Sequence, residues 1–206
     1  DAVVYDSENT QQGLTIFSSF FDYFSAMIDQ NGNEVWNTED NNLVYYTTDG
    51  YGNLYGTQFS INEDDLPGID FSIDNNILWS NTGDSYVHHD FFELPNGNFI
   101  GLDEHIGEGP IPTDINFVTL MTLRALGYIG DGVTNEFPWV GDKIIEWNPD
   151  GTEAWSWNTF EHLTLQDYDM IGGSWTEVLS NGGRFDWTHA NAIWFNENES
   201  AIYLSS

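Results

Sequence analysis

The chain has 206 residues, and 34 acidic side chains against three lysines and arginines give it a formal net charge of −31 at pH 7. Such a charge repels phosphate backbones and anionic lipids, so nucleic acid and acidic membrane surfaces are excluded as expected partners. The absence of cysteine excludes disulfides, thiolate nucleophiles and cysteine zinc sites, and it fits a periplasmic or secreted, extracellular setting. No apolar run approaches the roughly 18–20 residues of a bilayer span, so no membrane insertion is expected.

One pattern recurs along the chain: an apolar strand, a tight turn, and a second strand that carries tryptophan. The copies end at Trp36, Trp79 and Trp155, and the turn residues four positions earlier are Gly32, Asn75 and Gly151. The first spacing is 43 residues, which is typical of a four-stranded propeller blade. The second is 76 residues, one blade plus an insertion, which we place at 107–141 around a helix-like run at 115–126.

The pattern therefore predicts an all-β chain, a single partial β-propeller domain of four-stranded antiparallel blades over 1–206. The predicted blades lie near 1–37, 43–80, 86–157 and 187–206, and a lid-like loop runs over 158–184. Val3–Asp6 is expected to complete the first blade, and 187–195 is expected to open the last. About three blades do not close a ring, since propellers need four to eight. Their open edges predict pairing with the remainder of the propeller, another chain, or a second copy in a homo-oligomer.

Two histidines occupy matching places in two β-units one hundred positions apart. His189 aligns with His89, and in both units an Asn-containing turn and a second apolar strand follow. Strand alternation puts His189 and Asn191 on one face, and the rings of His89 and His189 are expected to converge on one channel. The structural alternative is that both are buried channel residues hydrogen-bonded to neighbouring strands.

The other chemistry-bearing residues are given structural roles. Alternation predicts that His88 and His89 point to opposite faces, so a shared metal ion is not expected. His105 is expected to face solvent, and His162 to be a structural histidine of the lid-like loop. The calcium-like turns at 29–34 and 148–153 are explained by the need of hairpins for Asn and Gly. Neither a metal nor a cofactor is predicted.

Several motifs taken together resemble a known family. HHDFFELPNGN, IIEWNPDGTEAWSWNTFEHL, DWTHANAI and IYLSS, in this order, are similar to segments of the bacterial arylsulfotransferases, or aryl-sulfate sulfotransferases. The opening VVYDSENTQQGLTIFSS also looks like the start of secreted members. The resemblance covers nearly the whole chain except 107–141.

That resemblance implies a six-bladed propeller with its active site in the central channel. It implies transfer of a sulfuryl group from a phenolic sulfate ester to an acceptor phenol through a sulfated histidine, without a nucleotide donor. His189 matches an active-site histidine, Asn191 a neighbouring substrate-binding residue, and His89, then His88, a further catalytic histidine.

Two family residues are expected outside the chain. The arginine of the family's SSR motif would follow Ser206, and the sulfated nucleophile lies in a later blade. The 206 residues alone are therefore expected to be inactive. The alternative function is a non-catalytic extracellular propeller with an adhesive or structural role.

Overall fold

The protein is mostly β and contains several antiparallel sheets. The computed structural model describes residue 9 and residues 12–60, 65–166, 174–180 and 182–206. The chain divides into two compact units, the first made of Asp1–Gly101 and Glu146–Ala154, the second of Leu102–Ile145 and Trp155–Ser206. The predicted strand at Val3–Asp6 lies outside the described residues.

Two antiparallel meanders belong to the first unit. The three-stranded sheet consists of β1 (Thr15–Ser19), β2 (Phe24–Ile28) and β3 (Glu34–Asn37). The four-stranded sheet consists of β4 (Leu43–Thr48), β5 (Leu54–Gln58), β6 (Gly68–Phe71) and β7 (Ile77–Ser80). Each strand pairs with the next in sequence. These strands lie within the ranges predicted for the first two blades, near 1–37 and 43–80.

The remaining strands form a larger sheet and a hairpin. The sheet order is β8 (Val87–Glu93), β9 (Phe99–Pro110), β10 (Asn135–Trp147) and β11 (Glu153–Asn158), and β12 (Phe185–Asp186) pairs with β10 in parallel. The hairpin joins β13 (Ala192–Asn196) to β14 (Ala201–Ser205). The helices are α1 (Phe117–Ala125), α2 (Thr159–His162) and α3 (Ser174–Glu177). Much of the predicted insertion is thus the long ends of β9 and β10 with α1 between them.

The prediction of a strand over 187–195 is wrong. The chain pairs with β10 only at β12, leaves the extended conformation, and resumes a strand at Ala192. The physical reason is the backbone of His189, whose φ of 44° lies in the left-handed region and interrupts an extended strand.

The same five-residue turn closes four hairpins. In the first, the Asp29 N–H donates to the Asn33 carbonyl at 2.9 Å and the Gly32 N–H to the Asp29 carbonyl at 3.0 Å. Equivalent pairs of bonds close the turns at 72–76, 94–98 and 148–152. The fourth residue of each turn has positive φ, which explains its restriction to Gly or Asn. The hairpin turns predicted from Asn and Gly are therefore confirmed.

The recurrent tryptophans make equivalent contacts in the first unit. The Trp36 indole N–H donates to the Ile73 carbonyl at 2.6 Å, and that of Trp79 donates to the Pro149 carbonyl at 2.9 Å. Both acceptors stand six residues before the next tryptophan of the series. Each indole is therefore hydrogen-bonded to the backbone of the tight turn in the following sheet.

Helix α1 lies where the sequence predicts a helix. The Asn116 side chain caps its N-terminus by accepting hydrogen bonds from the Val118 and Thr119 N–H groups. Leu120 and Leu123 are buried on its inner side. These leucines join α1 to the core of the second unit.

Aromatic rings dominate the core of the second unit. Its buried members are Ile111, Leu120, Leu123, Phe137, Trp139, Trp175, Val178, Phe185 and Trp187. The Trp175 ring stacks on Phe185 with centroids 4.3 Å apart, and Trp139 meets Phe185 edge-on at 4.7 Å. Since Trp175 and Val178 come from 158–184, this part of the predicted lid-like loop is a packed element.

We expect Gly109→Ala to destabilise the protein by about 1–3 kcal/mol, as overpacking of a filled core typically does. A Cβ at Gly109 would lie 2.4 Å from the Trp139 ring, which the surrounding aromatic rings hold in place. Urea unfolding followed by tryptophan fluorescence measures the change. The matched control is Gly50→Ala, where a Cβ would meet nothing within 4 Å. Equal stability of the two variants would contradict the tight contact.

A carboxyl group of the first unit titrates abnormally. Asp70 pairs across the sheet with Tyr55, and burial raises the pKa of Asp70 to about 6, with smaller contributions from the charges of Glu93 and Asp49. Its ordinary value is 3.8. The folded protein therefore holds this proton at pH values at which the unfolded chain has lost it. The resulting stabilisation is complete below the ordinary value and is lost as the pH rises through about 6.

Replacing Asp70 by Asn should remove this pH dependence. The free energy of unfolding of Asp70→Asn relative to the parent should increase as the pH rises from 3.8 through about 6. Urea unfolding at a series of pH values measures the difference. Asp40→Asn, which removes one carboxyl group from an exposed position, is the matched control. A difference for Asp70→Asn that does not change with pH would contradict the raised pKa of Asp70.

Candidate functional site

The D-W-T-H-x-N motif forms a compact turn after β12 in the second unit. The Trp187 N–H donates to the Val140 carbonyl at 2.8 Å, and the Trp187 ring is buried in the aromatic core. The Asn191 N–H donates to the Ser205 carbonyl at 2.8 Å, which fixes the other end of the turn on the β13–β14 hairpin. His189 lies between these two anchors.

A buried carboxylate from β10 holds the middle of this turn. Asp142 is 4% exposed, and its Oδ2 accepts hydrogen bonds from the Thr188 hydroxyl and, at 2.9 Å, from the Ala190 N–H. Thr188 and Ala190 are the two neighbours of His189. The carboxylate therefore fixes the backbone on both sides of the histidine.

The imidazole of His189 forms a dyad with Asp186. Its Nδ1 lies 2.5 Å from the Asp186 Oδ2, and the two side chains are 66% and 38% exposed. A carboxylate at this nitrogen favours the tautomer with the proton on Nδ1, so in the neutral ring Nε2 carries the lone pair. A ring in this state can accept a proton or attack an electrophile through Nε2.

His89 and His189 share a rare backbone conformation. Their φ angles are 60° and 44°, in the left-handed region that non-glycine residues seldom occupy. Such a conformation costs on the order of 1–3 kcal/mol and persists where the surrounding structure enforces it. At His189 the hydrogen bonds to the Asp142 carboxylate, each worth about 1.5–3 kcal/mol, are sufficient to offset that cost.

The prediction that His88 and His89 point to opposite faces is wrong. Their ring centroids lie 5.1 Å apart with the planes at 84°, so the rings meet edge to face. Alternation requires extended backbone on both residues, and the positive φ of His89 breaks it. The two imidazoles therefore form one cluster on β8.

A cavity of about 340 Å³ lies next to His89 in the first unit. Its lining consists of Ser18, Phe20, Phe21, Val44, Tyr45, Tyr46 and His89. The volume falls near the lower end of the range for small-molecule sites, about 300–1,000 Å³. Four aromatic side chains and one imidazole line the cavity, which is open to solvent.

Tyr46 ties this cavity to the strand that carries His89. Its hydroxyl donates to the Val87 carbonyl at 3.0 Å, across from β4 to β8. Burial raises the pKa of Tyr46, with a smaller contribution from Tyr86, so the hydroxyl stays protonated and remains a donor. Burial also raises the pKa of Tyr45. The aromatic wall is therefore uncharged at physiological pH.

The predicted substrate-binding residue Asn191 has a local contact. Its side-chain amide donates to the carbonyl of His189 at 2.8 Å, and the residue is exposed. His189 and Asn191 both precede β13, so strand alternation does not place their side chains on one face. The amide stabilises the left-handed histidine directly.

The two remaining histidines pack on aromatic rings. His105 is half-buried, with its ring 5.7 Å from that of Phe160, so the prediction that it faces solvent is wrong. His162 stacks on Trp157 with the ring centroids 5.1 Å apart and nearly parallel planes. The stacking of His162 agrees with a structural role.

The basic side chains differ in their surroundings. Arg124 donates to the carbonyls of Ile129 and Gly130 and so closes the loop after α1. The guanidinium of Arg184 lies 3.4 Å from the Glu104 carboxylate and is 52% exposed. Lys143 lies half-buried on β10. Arg184 stands immediately before β12, two residues from Asp186.

No metal cluster is present in the described part of the chain. Among these residues, no group of three or more histidine, aspartate or glutamate side chains is arranged to hold an ion. The acidic turn residues bind their own backbone: Asp29 Oδ1 accepts from the Asn31 and Asn33 N–H groups at 2.8 and 2.9 Å. The described helices also include none with the length and apolarity to cross a bilayer.

Comparison with known families identifies the second unit's motif. The model of the arylsulfotransferase (ASST) family matches residues 119–206, which include the Asp186–His189 dyad. The resemblance to the arylsulfotransferases is confirmed. No curated protein matches the chain. The arylsulfotransferase match takes in 119–141, most of the segment expected to fall outside the resemblance, whereas the HHD motif lies before it.

Sequence reasoning missed the groups that hold His189. Asp142 is separated from Thr188 by 46 residues, so no local pattern connects them. Asp186 and Thr188 stand inside the arylsulfotransferase-like motif, and the i,i+3 spacing of Asp186 and His189 was a usable signal. The cavity beside His89 is assembled from β1, β4 and β8, and spacing along the chain does not reveal it.

Proposed function

We propose that this protein is an arylsulfotransferase that moves a sulfuryl group from a phenolic sulfate ester to an acceptor phenol. The observation that carries the proposal is the His189–Asp186 dyad inside the segment matched by the family model. An oriented imidazole can serve as proton donor, proton acceptor or ligand for anionic oxygens near neutral pH.

The proposed reaction has two balanced steps. In the first, an imidazole nitrogen attacks sulfur, the bond between sulfur and the phenolic oxygen breaks, and the phenolate leaves with a proton from a nearby acid. In the second, the acceptor phenol loses its proton as its oxygen attacks sulfur, and the N–S bond breaks. We assign the nucleophile to a histidine beyond residue 206, and proton transfer and oxygen binding to His189.

The lining of the cavity beside His89 is consistent with binding of a phenolic substrate. Its lining offers aromatic faces for a ring, and His88 and His89 stand on the strand at its margin. The uncharged wall suits an aryl group, while an imidazole suits the oxygen that gains or loses a proton. We therefore propose this cavity as a binding place for the aryl part of a substrate.

We also propose that the sheets are blades of a six-bladed propeller. Support comes from the repeated turn at four hairpins and from the equivalent indole bonds of Trp36 and Trp79. The absence of cysteine and the net charge of −31 favour a periplasmic or secreted location. The open strand edges favour contact with the rest of a ring or with another chain.

His189→Ala should lower kcat/KM for an aryl sulfate donor by roughly 10²–10³-fold, the loss typical of removing a group that stabilises developing charge. The ring is 66% exposed, so the fold should survive its removal. The assay follows release of phenol from a chromogenic aryl sulfate in the full-length protein, with and without an acceptor phenol.

His162→Ala is the control for this experiment. It removes an exposed imidazole that stacks on Trp157, and it should leave the rate within about twofold of the parent. Full activity of His189→Ala would remove the dyad from the mechanism. An inactive parent protein would instead leave a non-catalytic extracellular role.

Phe20→Ala should raise KM for the acceptor phenol by roughly tenfold, because one aromatic contact is worth about 0.5–1.5 kcal/mol beyond its buried area. Phe20 lines the cavity beside His89. Initial rates at a series of phenol concentrations measure the effect. Tyr51→Ala, at a side chain that is 94% exposed, is the control and should leave KM unchanged. An unchanged KM in Phe20→Ala would exclude this cavity as the phenol site.

A further inference from the structure

We propose that Asp142 is a positioning residue for His189, an inference that rests on the proposed sulfuryl transfer. Asp142 stands on β10, and one of its carboxylate oxygens accepts from both neighbours of the histidine, the Thr188 hydroxyl and the Ala190 N–H. The carboxylate acts through the backbone of the turn. The carboxylate of Asp142 fixes the position of the His189 backbone, and Asp186 fixes the orientation of the imidazole ring.

The position of Asp142 is itself fixed. Its N–H donates to the Thr159 hydroxyl at 3.1 Å, and Thr159 is fully buried at the start of α2. The preceding Gly141 permits this approach, since a Cβ there would lie 2.5 Å from the Thr159 hydroxyl. Hydrogen bonds thus connect the buried Thr159, at the N-terminus of α2, through Asp142 to the turn of His189.

Because the backbone of His189 is left-handed, the position of its imidazole depends on the hydrogen bonds of its two neighbours. A histidine with φ of 44° adopts an extended conformation once its neighbours are released, and the ring then moves with its Cα. Proton transfer needs heavy atoms within hydrogen-bond reach, about 2.6–3.2 Å. A displacement of about 1 Å is enough to lower a rate on the order of 10²-fold.

The location of the carboxylate argues against a role in bulk stability alone. The aromatic core already buries Phe185 and Trp187 on the inner side of the turn. Those contacts fix β12 and Trp187, and hydrogen bonds hold the backbone that follows. Asp142 supplies two of these anchors at the histidine itself.

The test is a matched pair at Thr188 in the full-length protein. Thr188→Val keeps the shape of the side chain and removes the hydroxyl, whereas Thr188→Ser keeps the hydroxyl. We expect Thr188→Val to lower kcat on the order of tenfold, with KM for the aryl sulfate changed less than about threefold. Thr188→Ser should restore most of kcat. Asp142→Ala removes both hydrogen bonds and should lower kcat further, toward 10²-fold.

The outcomes separate this inference from the function on which it rests. Thermal unfolding of each variant reports stability independently of kcat. If Thr188→Val is as active as Thr188→Ser, or if it loses stability with kcat intact, Asp142 has only a structural role and the inference is wrong. His189→Ala is assayed in the same series: an inactive parent, or full activity of His189→Ala, overturns the sulfuryl-transfer proposal itself.

Discussion

One buried carboxylate, that of Asp142, bonds the turn of His189 on both sides of the histidine. An unfavourable backbone conformation at a solvent-exposed histidine cannot be maintained by its own packing, because most of its ring is in water. Asp142 supplies the missing constraint through two charge-assisted hydrogen bonds to the flanking residues. Every other contact of the motif is arranged around this fixed point: the dyad with Asp186, the amide of Asn191, and the anchor of Trp187.

The carboxylates of this acidic chain are used in two different ways. Many bind the backbone of their own turn, and hydrogen bonds hold the pKa of Asp29, Asp131 and Asp150 below the ordinary value. Those groups are exposed, and each keeps its charge within a local loop. Asp142 is buried and reaches a segment distant in sequence. The second use couples strands β10 and β12 to the turn of a candidate catalytic histidine.

The sequence predicts the local structure well because hairpins are local. The turn residues Gly32, Asn75 and Gly151 need positive φ, and the strand–turn–strand pattern around them predicts the hairpins that these turns close. The sequence predicts matching places for His89 and His189, and both adopt the left-handed conformation, although His89 lies within β8 and His189 lies before β13. Their side-chain directions were not predictable, because a rule based on extended strands fails where φ is positive.

Contacts between distant segments mark the limit of sequence reasoning. The burial of Trp175 and Val178 in an aromatic core was hidden by the low periodicity of a segment that reads as a loop. The clamp of Asp142 and the cavity of Tyr45, Tyr46 and Phe20 depend on which strands become neighbours. Motif spacing carries no information about such neighbours. Only the family-like motif itself connected the residues near His189 to chemistry.

The indole bonds of Trp36 and Trp79 have a consequence for how this fold tolerates change. Each indole donates to a main-chain carbonyl of the next sheet's turn, at Ile73 or Pro149, so no acceptor side chain is needed. The turn sequences are free to drift as long as their backbone shape is kept, and here they read SIDNN and NPDGT. A substitution in either turn that keeps the backbone shape therefore leaves the carbonyl available to the indole.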